Sequence, residues 1–396
     1  MPDLIHTLAQ LRADIALTNQ FAYFQTGSEG PLPDPAQAII AAVVREENCS
    51  ALAGRNAYGD LMQRAESARV SLGRLLNVQP MDLCWTQNTS SSNRLALGSL
   101  PWSAGDRLAM TATEHVSTRH VARRIHQITG RQPTIIPVGD AGSYTPAYFL
   151  EQLDRLLTPD HRLLVMSHVS CLDGRRLPLI EATRLAHARG VKVLIDGAQA
   201  VGQFPVDVAA IDPEFYAGSV HKWLLGPAGI GYLYVARREL PSFYPNLMPL
   251  PEANEPTPPD AGSRSQIGTE TLSLRMAAAF MVDSFLAIGL QTVEAHVAAL
   301  TRRLRDGLRE LLALGTFEII SPYEWALSSG ITSLRFPTWP AEKVQALIDR
   351  IWDEFRVVVK FQVDFAGIRI SVASFNSADE VDQLLLALRT LLPQMR

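Results

Sequence analysis

Between residues 61 and 196 the chain alternates five times between a stretch of helical periodicity and a short apolar run bounded by turn residues. Helices are expected over 61–76, 93–100, 116–129, 148–157 and 178–189, and strands over 83–86, 107–111, 133–138, 162–167 and 191–196. Strands separated by helices cannot be joined as tight hairpins, so they run parallel, and a parallel sheet has to be covered on both faces. The expected fold class is therefore α/β, a mostly parallel sheet sandwiched by helices. The alternation breaks at 240–262, where seven prolines (Pro241, Pro245, Pro249, Pro251, Pro256, Pro258 and Pro259) imply an ordered surface connection. Two long helices over 272–290 and 292–314 then lead into an α+β region over 317–395. A large domain over 25–262 is expected, with a smaller one formed by 1–24, which carries a short surface helix, and 263–396.

With 396 residues, 47% hydrophobic and 19% charged, the chain can bury a large core. A net charge of -4 argues against nucleic acid, which selects a basic surface, so a small molecule is the expected partner. Cys49, Cys84 and Cys171 make neither a disulfide framework nor a paired metal spacing, which points to a reducing cytoplasm and no metal. Residues 1–17 carry His6, Arg12 and Asp14 and lack the apolar core of a signal peptide. The longest apolar stretch, 274–290, is interrupted by Arg275 and Asp283, so it reads as a buried helix and no membrane role is expected.

The chemistry concentrates around Asp196, which ends the aliphatic strand Val191-Lys192-Val193-Leu194-Ile195. Ligands of open parallel sheets bind at the carboxyl ends of strands. Alone, Asp196 would be an ordinary strand-end cap, and the pair His221-Lys222 an ordinary surface pair. Here the pair is preceded by Ser219 and followed by the apolar, glycine-punctuated run from Trp223 to Val235, which reads as a return strand that places the lysine inside. A carboxylate, a hydroxyl, an imidazole and a lysine in this order suit pyridoxal 5'-phosphate, which needs an anion at its ring nitrogen, donors at its phosphate and an amine at its aldehyde. Gln199 can donate to the ring oxygen, while Ser219 and His221 can donate to the phosphate. Lys222, with a lowered pKa, can bond the aldehyde and later move a Cα proton. Asn88, Thr89 and Ser90 open the helix after strand 83–86 and offer hydroxyls and amides where anions are favoured.

These residues resemble the class V aminotransferase group of fold type I pyridoxal phosphate enzymes, which includes cysteine desulfurases, cystine C-S lyases, selenocysteine lyases and isopenicillin N epimerases. The resemblance runs from Gly27 to about Leu388 and is most specific between Val193 and Val235. It implies a large cofactor domain, a smaller carboxy-terminal α+β domain, and ring-nitrogen, ring-oxygen, phosphate and lysine roles for Asp196, Gln199, Ser219 with His221, and Lys222. Thr113-Glu114-His115 is similar to the family's Glu-His motif, whose imidazole stacks on the ring and moves protons. Gly268-Thr269 is similar to the segment whose threonine reaches the phosphate of the other subunit, which implies a homodimer with shared active sites. Arg369 in Gly367-Ile368-Arg369-Ile370-Ser371 matches the arginine that clamps the α-carboxylate of an amino-acid substrate. Its planar fork suits that task. Gly27 and Ser28, in the loop over 27–33, are implied on the substrate side.

Two departures shape the expected reaction. Cys171 occupies the place of the family's usual asparagine beside the ring and substrate, and it reads as a small packed thiol. The stretch 317–369, where desulfurases carry their mobile nucleophile, contains no cysteine. Persulfide chemistry needs a thiolate, so a desulfurase is disfavoured. The leading expectation is a cystine or cysteine C-S lyase working by β-elimination from a Cα carbanion. Transamination and epimerisation start from the same carbanion and stay open, and a non-catalytic binding relative is the remaining alternative.

Overall fold

The computed structural model describes residues 2–140, 144–245, 259–265 and 268–395. Most of the proline-rich connection expected over 240–262 lies outside them. Among the described residues the central feature is a seven-stranded sheet in the order Leu83–Thr86, Gly231–Val235, Phe215–Ser219, Lys192–Asp196, His161–Ser167, Arg107–Thr111 and Thr134–Ile136. Only Gly231–Val235 runs antiparallel to its neighbours, as the expected return strand, and the other pairings are parallel.

Side chains alternate across a strand, and here the alternation sorts the central strands into two cores. Leu164, Met166, Val193, Ile195, Tyr216 and Tyr232 enter one apolar cluster, whereas Leu163, Val165, Leu194, Phe215, Ala217 and Leu233 enter another on the opposite face. Nearly continuous apolar strands are what a sheet buried on both sides requires. Five of the seven strands end in polar residues, namely Thr86, Thr111, Ser167, Asp196 and Ser219. One edge of the sheet is thereby made chemically active while its body is inert.

The expected helices are present with shifted ends. The segment expected to be helical over 93–100 is the helix Thr89–Gly98, because Asn88 caps it by accepting from the Ser91 amide at 2.9 Å. A second, four-stranded antiparallel sheet orders Lys360–Gln362, Gly367–Ser371, Ile331–Arg335 and Glu318–Ile319, and packs with helices Ala341–Phe355 and Ala378–Gln394 around its own core. The amino-terminal stretch joins both units. Ile5, Leu11 and Ile15 lie in the large core, while Ala22 and Phe24 lie in the small one, with Ala22–Tyr23 pairing parallel to Val357–Val358.

The helix Leu272–Ile288 differs from the expected division, which set it with the smaller domain. It packs on helices Ala57–Leu76 and Asp34–Glu46, and Leu272, Met276, Met281 and Phe285 belong to the large core. The change of core falls within the next helix, Leu290–Leu311, where Val293 and Val297 serve the large cluster and Leu300, Leu304 and Leu308 the small one. Apolar residues almost all round Leu272–Ile288 show that it is buried without showing against which neighbours. Among the described residues no single helix is long and apolar enough to cross a membrane.

Candidate active site

A cavity of ≈ 700 Å³ opens where the carboxyl ends of the central strands face the smaller sheet. One end is built by the helix Thr89–Gly98 and the strand Phe215–Ser219. The Ser219 hydroxyl accepts from the Thr89 amide at 2.8 Å and lies 2.5 Å from the Thr89 hydroxyl. Asn88, Ser90 and His221 line the same cavity. His221 has a buried Nδ1 without a hydrogen-bond partner, and burial followed by the nearby Lys222 charge pulls its pKa down to about 4. A neutral imidazole with an unused nitrogen, two hydroxyls and a helix amino terminus make a donor set for a phosphate.

Asp196 stands at the other end of the same floor. Its Oδ2 accepts from Asn93 Nδ2 at 2.9 Å and its Oδ1 from the Ala198 amide at 3.1 Å. Asn93 is one turn beyond Thr89, so one helix supplies the phosphate end and steadies the ring carboxylate. Sequence reasoning passed over Asn93 because it closes a run of small polar residues that reads as a helix cap. Gln199 donates from Nε2 to the Gly27 carbonyl at 2.8 Å and accepts at Oε1 from Trp223 Nε1 at 2.8 Å. The substrate-side loop is thereby tied to the segment carrying Lys222.

Lys222 sits in a tight turn. The Leu225 amide donates to the Lys222 carbonyl at 3.1 Å, and Leu225 itself has φ 52°, a left-handed conformation costly for a branched residue. Gly30 donates to the His221 carbonyl at 2.7 Å, and a Cβ at Gly30 would lie 2.3 Å from the Lys222 carbonyl oxygen. No side chain fits there. Loss of solvent lowers the Lys222 pKa, opposed by the Asp196 carboxylate. His115 caps the helix Val116–Thr129 and lies at the rim, its Nδ1 2.8 Å from the Ser117 hydroxyl. Its pKa is lowered by loss of solvent and then by Lys222. Beneath it Glu114 is fully buried, accepting from the Ser167 amide at 2.7 Å and the Ser167 hydroxyl at 3.0 Å. Burial, reinforced by Asp196, pushes Glu114 up to about 7.

The smaller sheet brings in Arg369, only 5% exposed. It donates from Nη1 to the Cys171 carbonyl at 3.0 Å and from Nη2 to the Ser28 hydroxyl at 2.8 Å, and its Nε is buried without a partner. No carboxylate among the described residues pairs with it. Cys171 is half-buried in the cavity wall, and desolvation pushes its thiol up to about 11. Lys360, Gln362 and Asp364 reach the mouth from the neighbouring strand and turn, and Arg119 pairs with Asp364 at 3.1 Å. Arg119 and the segment 360–364 lie far apart in the chain, and no local spacing joins them.

The cavity brings together Gly27, Ser28, Asn88, Thr89, Ser90, His115, Cys171, Asp196, Gln199, Ser219, His221, Lys222 and Arg369. Thr269 does not join them. It is exposed and lies away from the cavity of its own chain. The orphaned His221 nitrogen, the paired hydroxyls and the steadied Asp196 carboxylate fit pyridoxal phosphate on chemical grounds.

Comparison with known proteins agrees with this reading. The family aminotransferase class-V matches residues 35–384. A cysteine desulfurase of Cronobacter sakazakii is 29% identical over 96% of this chain and 97% of its own length. An isopenicillin N epimerase of Amycolatopsis lactamdurans is also 29% identical, over 96% of this chain and 97% of its own. The solved complex of a cystine C-S lyase with its reaction product cysteine persulfide superposes with a TM-score of 0.82 at 24% identity, over 93% of this chain and 97% of that one. That last likeness is one of fold. The chain thus belongs to the class V aminotransferase family, and it is a pyridoxal phosphate-dependent enzyme of fold type I.

Proposed function

We propose that this enzyme is a C-S lyase that removes the Cα proton of cystine, cysteine or a cysteine conjugate and expels the β-sulfur. The observation that carries an amino-acid substrate is Arg369, a buried guanidinium without a carboxylate partner, in the same cavity as Lys222. A buried unpaired cation is costly, and a bidentate α-carboxylate offsets that cost. Asp196 would hold the ring nitrogen, Thr89, Ser219 and His221 the phosphate, and Lys222 the aldehyde. When bound, the cofactor supplies an electron sink for negative charge at Cα.

Lys222 Nζ, its pKa lowered by burial, takes the Cα proton. His115 lines the same cavity from its rim. Arg369 and Ser28 fix the carboxylate in a cavity whose wall also carries Cys171. Elimination against a desulfurase mechanism is supported by the thiols. Cys171, with its pKa pushed up to about 11, is neutral near pH 7 and a poor nucleophile. Cystine would give pyruvate, ammonia and cysteine persulfide.

Release of pyruvate from cystine, cysteine and S-alkyl conjugates by purified holoenzyme tests the proposal, and no pyruvate from any of them sinks it. Solvent deuterium at Cα with the side chain retained would instead identify an epimerase. We also propose a homodimer in which Thr269 serves the partner's site, a reading supported by its exposure outside its own cavity.

A further inference from the structure

Lys360 and Arg369 are direct partners in the antiparallel pairing of Lys360–Gln362 with Gly367–Ser371. Side chains directly opposite each other share a face. The intervening pair Phe361 and Ile368 packs on the small core, so Lys360 and Arg369 turn toward the cavity that both line. Like charges placed opposite each other on a sheet repel, and such a pair calls for anions.

The carboxylates of the cavity wall are already engaged. Asp196 accepts from Asn93 and Ala198, Glu114 from Thr111 and Ser167, and Asp364 from Arg119 and Gln362. Lys360 has no carboxylate within ion-pair distance among the described residues. The phosphate has its own donors at Thr89, Ser219 and His221, on the sheet of the other domain. Residue choice adds weight. The chain has four lysines (Lys192, Lys222, Lys343 and Lys360) among 36 lysines and arginines, and two of the four line this cavity. An α-carboxylate on Arg369 leaves Lys360 a free, compact charge on the adjacent strand, lining the same cavity.

We propose that the substrate amino acid carries a second anion on its side chain, a carboxylate or a sulfur oxoanion, and that Lys360 is the specificity residue that binds it. The assignment rests on the amino-acid chemistry proposed above. Because an exposed rim charge contributes little whereas a partly desolvated pair contributes more, the half-burial of Lys360 favours discrimination.

Holoenzyme is titrated by calorimetry with probes that carry a methyl group in place of the Cα proton, so binding is read without turnover. The anionic probes are α-methylaspartate, α-methylglutamate and S-sulfo-α-methylcysteine, and 2-aminoisobutyrate is the neutral reference. At least one anionic probe should bind more than about 10-fold tighter than the reference. Lys360→Met should cut that preference below about threefold, and Lys360→Arg should keep most of it. In the wild type, added salt should weaken the preferred anion more than the reference. The tightest probe identifies carboxylate or sulfur oxoanion. Equal affinities in the wild type, or a preference that Lys360→Met leaves intact, would overturn the second-anion assignment and leave the amino-acid reading standing. If no probe binds, the reference included, both fall.

Discussion

Lys222 and Glu114 show how burial sets protonation at single residues. Desolvation lowers the lysine and raises the glutamic acid, in each case favouring the neutral form. For Lys222 the result is an amine held more readily in its neutral, basic form. Lys222→Ala should lack the visible band that borohydride removes from wild-type holoenzyme, and turnover should fall by roughly 10²–10⁴ or more. A retained band would show that another amine holds the cofactor. For Glu114 the consequence is one of stability. Its native pKa is pushed up from 4.5 to about 7, so the folded state binds the extra proton between those values. The contribution is fully present below the lower value and is lost as pH rises through the upper one. In cofactor-free protein Glu114→Gln should therefore cost less stability at pH 8 than at pH 5, the two differing by up to about 3 kcal/mol. Thermal unfolding at both pH values checks this, and a pH-independent cost would mean that the acid is already ionised in the fold.

The helix Thr89–Gly98 places two kinds of chemistry one turn apart, and its register decides whether both reach the cavity. Asn93 Nδ2 also lies 3.2 Å from the Thr118 hydroxyl, which links this helix to the one that His115 caps. Asn93→Ala would strand a buried carboxylate oxygen, so a loss of about 1–3 kcal/mol is expected, together with faster loss of the cofactor's visible band on dialysis. A variant with normal band retention would separate Asn93 from the site. At the other end of the chain, Ser377 and Glu380 form a capping box for Ala378–Gln394, and Glu380 also pairs with Arg12 at 2.8 Å. Ser377→Ala should lower stability by ~1 kcal/mol in denaturant unfolding, with cofactor retention unchanged. Both elements show what a sequence discloses. Strand ends such as Asp196 and Ser219 are legible because apolar runs stop at them and a ligand edge follows from parallel topology. Asn93, Lys360 and Arg119 are not legible, since their roles arise from helices and strands brought together across the fold. The helix Leu272–Ile288 was legible as buried, but its partners depend on packing that periodicity does not encode.

At the scale of the whole molecule the cavity is a seam between two cores, closed by contacts that run across it. Arg369 of the small sheet binds the loop at Ser28, and Arg119 of the large domain reaches Asp364. Thr269, exposed on the outside, is the residue that this seam leaves unexplained. If it completes the site of a second copy, the smallest active unit is a dimer of the 43.5 kDa chain. Mixing defective chains then gives a specific outcome. Lys222→Ala and Thr269→Ala homodimers should each be impaired, the second less severely because Thr89, Ser219 and His221 remain. A mixed dimer holds one site in which both defects meet and one in which an intact Lys222 faces an intact Thr269. Unfolding and reassociating the two variants together should therefore restore up to about a quarter of wild-type activity. This follows because roughly half of the randomly paired dimers are mixed and each has one of two sites intact, if sites act independently. Sedimentation gives the assembly size in parallel. A monomer, or a mixture no more active than the average of its two parents, would place Thr269 outside any shared site.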